Sequence, residues 1–384
     1  MPARTALIHD WLDTWRGGEN VLAALVGLFP GADLFAVVDF LPDELRARIK
    51  GKRATTTFIQ RLPFARRHFR AYLPLMPRAI ESLDLRDYDL VISCSHAVAK
   101  GVRTHRSQRH LCYCLTPMRY AWDLSEQYLE VSGLGGGLRG VAARALFARL
   151  RAWDRAASER VDDFVAISTY IGERIRRCYG RDSTVIHPPV DTTFFTPADS
   201  PSPPAARRDF VTASRWVPYK RVEAIVAAFR ELPDRRLVVI GDGPQARQVR
   251  AAAGVNVEFV GELPREALRD ALRGARAFVF AAEEDFGILP VEAQACGTPV
   301  IAYGRGGALE TVVGLPRDDA TGLFFSEQSP AAIAAAVRAF DREAERFRVD
   351  ACIANAARFG HARFAAEFLS RVAQPDAKPP SGAR

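Results

Sequence analysis

Glu284 and Glu292 are two carboxylates separated by seven residues, and they follow directly on the apolar run Ala277–Phe280. The pattern predicts a helix that begins near Ile288, so Glu292 falls in its first turns and Glu284 in the loop before it. A helix N-terminus favours negative charge because its first amides lack partners. The amides that would face a ligand here belong to Phe286, Gly287, Ile288 and Leu289. Two carboxylates for hydroxyls and open amides for phosphates fit a nucleotide-sugar pocket.

This string resembles the donor-site signature of retaining glycosyltransferase family 4, which has the GT-B fold. The resemblance implies two Rossmann-like, doubly wound α/β domains with parallel sheets, facing across a cleft. It also implies that Glu284 contacts the donor sugar and that Glu292 binds the ribose of the nucleotide.

Two cations complete the expected donor site. Arg215 and Lys220 resemble the family's Arg-to-Lys element, whose charges hold the donor diphosphate. Because charge grows on the leaving group as the glycosidic bond breaks, fixed cations stabilise the transition state more than the ground state. Two cations can therefore replace a divalent metal, and the resemblance implies neither a metal nor another cofactor. Glycines where a backbone must approach a phosphate are expected in the same site, at Gly17, Gly18, Gly241 and Gly304–Gly307, with a tight turn that needs glycine as the alternative for each.

The first half carries a narrower resemblance, in the strings Ile92–Gly101 and Cys112–Asp123. They are similar to a subgroup that builds bacterial O-antigen and exopolysaccharide, often from GDP-linked sugars of the mannose type. The resemblance implies an acceptor site lined by His96, Arg119, Tyr120, Trp122 and Asp123. Aromatic faces suit sugar rings, but buried aromatic residues are more often part of a core.

Leu115 departs from that pattern, because relatives usually have histidine at this position, beside the 6-hydroxyl of the donor sugar. Leucine neither donates nor accepts a hydrogen bond, and a buried hydroxyl without a partner costs about 1–3 kcal/mol. A 6-methyl group would pack well against it. Leu115 therefore favours a 6-deoxy donor such as a GDP-linked rhamnose, with drift or weakened activity as the alternative.

The composition is that of a globular protein large enough for two domains, with 384 residues, of which 48% are hydrophobic. No apolar run approaches the roughly 20 residues of a membrane span, and the N-terminus lacks the apolar core of a signal peptide. The six cysteines are scattered without metal-ligand pairs, which favours buried reduced thiols in the cytoplasm.

A formal net charge of +8 indicates anionic partners. Residues 58–78 hold five arginines and no acid, interleaved with aromatic residues, and residues 138–161 form a second arginine-rich stretch with a helical pattern. Either stretch suits an anionic membrane surface or an ordinary core helix with a solvated face. No nucleic-acid-reading motif is evident, so a nucleic-acid partner is not expected.

Strands alternating with helices predict two parallel sheets. The predicted strands are Thr5–Ile8, Asp33–Val38, Leu90–Ser93, His110–Leu115 and Asp163–Ser168 in the first half, and Phe210–Ala213, Arg236–Ile240, Val257–Val260, Ala277–Phe280 and Pro299–Ala302 in the second. Helices are predicted at Pro330–Phe340 and Cys352–Leu369. The predicted domains are an acceptor domain 1–196, a linker 197–208, a donor domain 209–355, a helix 356–373 that returns to the first domain and a disordered tail 374–384.

The sequence therefore predicts a retaining, metal-independent glycosyltransferase. We expect it to move a hexose or 6-deoxyhexose from a nucleotide sugar to a lipid-linked oligosaccharide, as a peripheral protein on the inner face of the plasma membrane. Two alternatives remain at this point. One is a non-catalytic partner with the same fold in a polysaccharide assembly complex; the other is a GT-B enzyme of a different reaction type, such as a nucleotide-sugar epimerase.

Overall fold

The structure is a computed structural model that describes residues 4–122 and 137–374, without the side chains of residues 138 and 139. The chain divides into two compact units, residues 1–188 with 365–384, and residues 189–364. The change between units thus falls at 188/189, whereas the sequence pattern placed a linker at 197–208. Arg207, at the end of that segment, is buried and donates to the Ala275 carbonyl over 3.0 Å and to Thr298 Oγ1 over 2.8 Å.

Within its described residues, the first unit holds a parallel sheet of seven strands in the order β3-β2-β1-β4-β5-β6-β7. The strands are β1 Thr5–His9, β2 Asp33–Ala36, β3 Thr55–Thr56, β4 Leu90–Ser95, β5 Arg109–Cys114, β6 Asp163–Ala166 and β7 Thr184–Val185. β1 and β4 are buried along their whole length, which explains why they read as continuous apolar runs.

The described part of the second unit holds a parallel sheet of six strands in the order β10-β9-β8-β11-β12-β13. They are β8 Phe210–Ala213, β9 Leu237–Ile240, β10 Val257–Gly261, β11 Ala277–Phe280, β12 Val300–Tyr303 and β13 Gly322–Phe325. Two parallel sheets covered by helices confirm the predicted two-domain, Rossmann-like α/β fold. The sequence pattern missed β13, which begins with a glycine, and the two-residue strands β3 and β7 of the first unit.

Helices connect the strands in both units. They are α1 Gly17–Leu28, α2 Asp43–Arg46, α3 Ala65–His68, α4 Met76–Glu81, α5 Arg119–Trp122, α6 Gly137–Ser158, α7 Thr169–Tyr179, α8 Val222–Phe229, α9 Ala246–Ala251, α10 Arg265–Gly274, α11 Ile288–Ala295, α12 Ala308–Thr311, α13 Pro330–Arg342, α14 Val349–Ala357 and α15 His361–Ala373. Short 3₁₀ turns join several of them.

The continuous helix predicted over Cys352–Leu369 is wrong, because the chain breaks between α14 and α15. At the break, the Phe359 carbonyl accepts a hydrogen bond from the Val190 amide over 2.8 Å, and Gly360 bridges to Val190. Beyond residue 364 the chain belongs to the first unit, where Phe368 lies edge-on to Phe29 at 6.2 Å between ring centroids.

The two arginine-rich stretches have different structures. In α6, Leu146, Phe147, Leu150 and Trp153 pack into the core of the first unit, as in an ordinary core helix with a solvated face. Residues 58–78 instead form short turns and α3, and some of their apolar side chains point outward. Within residues 4–122 and 137–374, none of the helices has the length and apolar character that crossing a membrane requires. All six cysteines are buried and free of disulfides.

Candidate donor and acceptor sites

In the second unit, the loops after β8 and β9 lie backbone to backbone and hold Arg215. The Trp216 amide donates to the Asp242 carbonyl over 2.8 Å. Gly241 has φ of +116°, and a Cβ atom on it would lie 1.9 Å from the Ser214 carbonyl oxygen. Only glycine allows this approach. Arg215, between Ser214 and Trp216, is thereby exposed at the carboxyl edge of the sheet, where ligands of open parallel sheets bind.

Lys220 ends the 3₁₀ turn Pro218–Lys220, and its ammonium forms an ion pair with the Glu284 carboxylate. The two side chains are 16% and 17% exposed, so both can be reached by a ligand while most of their surface is shielded from water. In a partly shielded place, a charge pair and its field act more strongly than on an open surface. The structure thus brings together a cation expected at the diphosphate and a carboxylate expected at the sugar.

The loop that carries Glu284 is fixed by a glycine turn. The Gly307 amide donates to the Glu284 carbonyl over 2.8 Å. A Cβ atom on Gly307 would lie 2.3 Å from Cα of Phe286, and one on Gly306 would lie 2.4 Å from the Glu284 carbonyl oxygen. These two glycines therefore allow the close backbone contact that sets the position of Glu284. The sequence predicted that they approach a ligand, and the structure shows that they also have a structural role.

Helix α11 begins at Ile288, as predicted, after Gly287 with φ of +92°. The Phe286 side chain is buried and lies edge-on to Phe359, with ring centroids 5.5 Å apart. The Phe286 side chain therefore serves the packing of this loop and does not face a ligand. Ile288 and Leu289 are partly exposed on the first turn, and Glu292 follows one turn later.

Glu292 occupies an unusual setting for a carboxylate. Burial by the surrounding protein raises its pKa to about 7, and nearby Asp191 adds to the rise, while Arg265 opposes it. Arg265 donates to Asp191 over 2.9 Å, so the two opposing charges lie together. Glu292 is therefore protonated in part near neutral pH, and it is held ready to accept hydrogen bonds once it ionises.

In the first unit, the glycine pair at the start of α1 lies against Leu115. A Cβ atom on Gly18 would be 3.0 Å from Leu115 Cδ1 and 3.8 Å from His9 Cε1. Gly17, the first residue of α1, is exposed. The structure thus brings together Gly18 and Leu115, two residues that the sequence assigned to the donor side from distant parts of the chain.

His9 is fully buried behind this helix start, with Nδ1 3.2 Å from the Cys94 carbonyl and Nε2 3.7 Å from Glu19 Oε1. Burial disfavours the charged imidazole, but the hydrogen bond to Cys94 and the nearby Glu19 carboxylate outweigh it and raise the pKa of His9. Glu19 also accepts the Arg16 amide over 2.8 Å, which caps α1.

Asp10 follows β1 directly and is fully buried. It accepts the amides of residues 96–99 over 2.5–3.1 Å and lies 2.9 Å from His96 Nδ1. Burial alone would raise the pKa of this carboxyl, but the His96 charge and these hydrogen bonds lower it well below its usual range. The His96 ring, 30% exposed, is held by Asp10 and by an edge contact with Trp11 at 4.7 Å. Nε2 is the nitrogen left for a ligand.

The other residues assigned to the acceptor site make contacts within the first unit. Trp122 donates from Nε1 to Asp154 Oδ2 over 2.8 Å, and its ring lies edge-on to Tyr179. Tyr120 and Trp122 pack against the core of the first unit, and Arg119 is partly exposed. Asp123 lies outside the described residues. The acceptor role of these residues stays a prediction.

Sequence reasoning assigned no role to Asp10, Glu19 or Asp191. Asp10 carried a usable signal, because it is a carboxylate at the end of a buried parallel strand, where functional side chains collect. Glu19 and Asp191 act through His9 and Arg265, and nothing in their spacing reveals those contacts.

Two family models match the chain in succession. Residues 15–194 match the model Glycosyltransferase Family 4, and residues 198–357 match the model Glycosyl transferases group 1.

Among curated proteins, the chain is 33% identical over 195 residues to a GDP-mannose-dependent monoacylated alpha-(1-6)-phosphatidylinositol monomannoside mannosyltransferase of Corynebacterium glutamicum, covering 44% of the chain and 50% of that protein. It is also 33% identical over 249 residues to a D-inositol 3-phosphate glycosyltransferase of Xylanimonas cellulosilytica, covering 57% of the chain and 58% of that protein. The chain spans about half the length of these two relatives.

Solved structures share the whole fold. A sucrose-phosphate synthase of Thermosynechococcus elongatus superposes with a TM-score of 0.70 at 21% identity, covering 97% of this chain and 98% of that one. HepE of Anabaena, in complex with UDP and glucose, superposes with a TM-score of 0.67 at 16% identity, covering 96% and 99%. At these identities the likeness concerns the fold alone.

Proposed function

We propose a glycosyltransferase activity for this chain, which belongs by its fold and by its two family-model matches to the GT-B glycosyltransferases of family 4. The second unit binds the nucleotide-sugar donor and the first unit binds the acceptor. The transfer retains the anomeric configuration and uses no metal, because Arg215 and Lys220 supply the positive charge at the leaving diphosphate.

The observation that carries this proposal is the Lys220–Glu284 pair, at the same edge of the sheet as Arg215 and the start of α11. In the proposed complex Glu284 accepts hydrogen bonds from the sugar hydroxyls and Lys220 turns to the diphosphate. Glu292 accepts the ribose hydroxyls, and the first amides of α11 face the phosphates. Each charge-assisted hydrogen bond contributes about 1.5–3 kcal/mol.

The proposed donor is a GDP-linked hexose or 6-deoxyhexose of the mannose or rhamnose type. GDP is supported by the similarity to the mannosyltransferase of Corynebacterium glutamicum, which is GDP-mannose-dependent. The 6-deoxy option rests on Leu115, a partly exposed apolar side chain against Gly18.

Leu115→His should shift donor preference toward the 6-hydroxy sugar by about tenfold, because the new side chain offers a partner to the 6-hydroxyl. The measurement is the ratio of kcat/KM for GDP-mannose and GDP-rhamnose in both proteins. Leu115→Met, which keeps the position apolar, serves as the matched control. An unchanged ratio in the histidine variant would remove Leu115 from the specificity of the enzyme.

The proposed acceptor is a lipid-linked oligosaccharide, in the synthesis of cell-surface polysaccharide on the inner face of the plasma membrane. His96 supports acceptor binding in the first unit, since its ring is partly exposed and oriented by Asp10. The basic surface of the same unit suits an anionic membrane.

Nucleotide affinity should rise with pH through about 7, because ribose hydroxyls donate to the ionised form of Glu292 and its pKa is raised to that value. Between pH 6 and pH 8 the ionised fraction grows about tenfold, and the association constant of GDP should follow it. Glu292→Gln removes this titration and should flatten the profile. A profile of equal slope in that variant would place the titrating group elsewhere.

The test of the activity itself is transfer from radiolabelled GDP-mannose and GDP-rhamnose to lipid-linked oligosaccharides extracted from membranes, with the anomeric configuration of the product read by NMR. Formation of an α-linked product from an α-linked donor supports the proposal. Conversion of the nucleotide sugar without any acceptor would instead identify an epimerase. Nucleotide binding without either reaction would leave a non-catalytic binding protein.

A further inference from the structure

One segment of the first unit is rich in basic residues. Residues 45–80 contain ten lysines and arginines and no aspartate or glutamate. Within this segment the turn Phe58–Arg61, helix α3 and the turn Phe69–Leu75 pack on one another. We call these three elements with their connections, residues 58–75, the basic cap.

Phe64 lies at the tip of the basic cap in a strained backbone conformation. Its side chain is 79% exposed, and its backbone has φ of +57° and ψ of +12°, in the left-handed region. A bulky L-residue there is strained, and an aromatic side chain in water gains nothing from folding. Strained backbone in a native protein is often retained for function. Neither packing nor local geometry explains a phenylalanine at this position.

The basic cap exposes further apolar and basic side chains beside Phe64. Phe58 and Leu75 are each 42% exposed, while Ile59, Ala65 and Phe69 anchor the same elements in the core. Arg61, Arg66 and Arg67 are exposed, and among the described residues no carboxylate pairs with them. Arg70, in contrast, donates to Asp13 over 2.7 Å. The cap therefore presents apolar side chains at its tip and unpaired guanidinium charge around them.

An anionic bilayer fits this combination better than nucleic acid does. Exposed aromatic and aliphatic side chains gain free energy by entering the acyl boundary, while arginines at the same level meet lipid phosphates. Helix α6, the other arginine-rich segment, differs because its apolar face is already packed in the core. Helix α6 exposes Val141 at 65%, so among the described residues of the two arginine-rich segments the difference is that only the basic cap has exposed aromatic residues, Phe58 and Phe64.

We propose that the basic cap is a membrane-docking surface, with Phe64 as the inserting side chain and Arg61, Arg66 and Arg67 as the contacts to anionic lipid headgroups. The proposal deepens the function argued above, since docking would bring the first unit to a lipid-linked acceptor. Membrane docking does not depend on sugar transfer, so the purified full chain should bind lipid vesicles without any substrate.

Phe64→Asn is the central test, measured by co-sedimentation with vesicles of equimolar phosphatidylcholine and phosphatidylglycerol. Asparagine tolerates the left-handed region, so the melting temperature should stay the same or rise, whereas the partition coefficient should fall about tenfold. If Phe64 had only a structural role, the melting temperature of the variant would fall and its partition coefficient would stay unchanged. Val255→Asn, at a fully exposed valine of the second unit, should change neither quantity.

The charge contribution is tested by the triple variant Arg61→Gln, Arg66→Gln and Arg67→Gln, which should weaken binding to the anionic vesicles about a hundredfold. The matched control replaces Arg208, Arg230 and Arg342, exposed arginines of the second unit, by glutamine and should weaken it much less. Wild-type binding should also fall with salt and be weak on phosphatidylcholine alone.

Vesicle binding that is unaffected by Phe64→Asn, or lost equally in both arginine triples, would overturn the proposal. Binding to single-stranded RNA but not to anionic vesicles would overturn it in favour of a nucleic-acid surface. Nucleotide binding, measured on the same variants, reports on the donor site alone. A failure of membrane docking is therefore distinguishable from a failure of the proposed activity.

Discussion

Replacing Lys220 by glutamine should lower kcat/KM for sugar transfer by about a hundredfold to a thousandfold. The reason is that Lys220 supplies fixed positive charge where negative charge develops on the leaving diphosphate, and losing one such preorganised group typically has this effect. The loss should appear in kcat as well as KM, because the interaction strengthens in the transition state. Steady-state kinetics with a GDP-linked donor measures both constants.

Arg221→Gln is the matched control for this prediction. Arg221 is the next residue in the chain and is exposed, and its nearest carboxylate is Glu223 at 3.7 Å. Its removal changes the net charge by the same amount but should alter kcat/KM no more than a few-fold. Comparable losses in both variants would indicate that general charge, and not the cation beside Glu284, governs the reaction.

Asp10→Asn should destabilise the first unit by about 3–5 kcal/mol, the range typical of removing one partner from a buried charge network. The amide cannot accept all of the hydrogen bonds that the carboxylate now accepts from residues 96–99, so buried N–H groups lose partners. Urea denaturation at neutral pH, followed by fluorescence and by nucleotide binding to the second unit, would locate the effect.

The loss of stability caused by Asp10→Asn should depend on pH in a defined direction. Because the pKa of Asp10 is lowered on folding, its stabilisation is fully present above the unfolded value near 4 and is lost as the pH falls toward the folded value. The difference between wild type and variant should therefore shrink below pH 4. Asp13→Asn, at a surface ion pair with Arg70, should cost at most about 1 kcal/mol. Equal costs at the two aspartates would show that the buried network contributes little.

Much of the fold was predictable because each buried strand is a short apolar run bounded by turn residues. β8 and β11 were predicted with their observed bounds, and the start of α11 at Ile288 followed from Gly287 before an apolar stretch. β13 was missed because its apolar run begins with Gly322, a residue typical of turns.

The break between α14 and α15 was not predictable from periodicity. The sequence keeps a helical pattern across it, and the interruption depends on the contact of Val190 with Phe359 and Gly360 from a distant segment. The basic cap shows the same limit. Prolines and short turns divide this segment, and the outward position of Phe64 depends on its own left-handed backbone.

At the candidate site, the sequence predicted the residue types and the structure supplied their partners. Glu284 and Lys220 were each assigned to a ligand, and no spacing rule could reveal that they pair with each other. The raised pKa of Glu292 likewise follows from burial and from Asp191, which a linear pattern does not show. Gly306 and Gly307 proved to serve the position of the Glu284 loop, a role that the sequence left open between turn and ligand.

Binding of a nucleotide diphosphate sugar to the second unit through Glu292 should be measured first, by calorimetric titration of the full chain and of Glu292→Ala with GDP, UDP and ADP. We expect micromolar binding of GDP, much weaker binding of the other two, and a loss of at least about tenfold in the variant while its unfolding transition stays intact. Absence of binding by all three nucleotides, or GDP binding that is unchanged in Glu292→Ala, would contradict the proposed donor site.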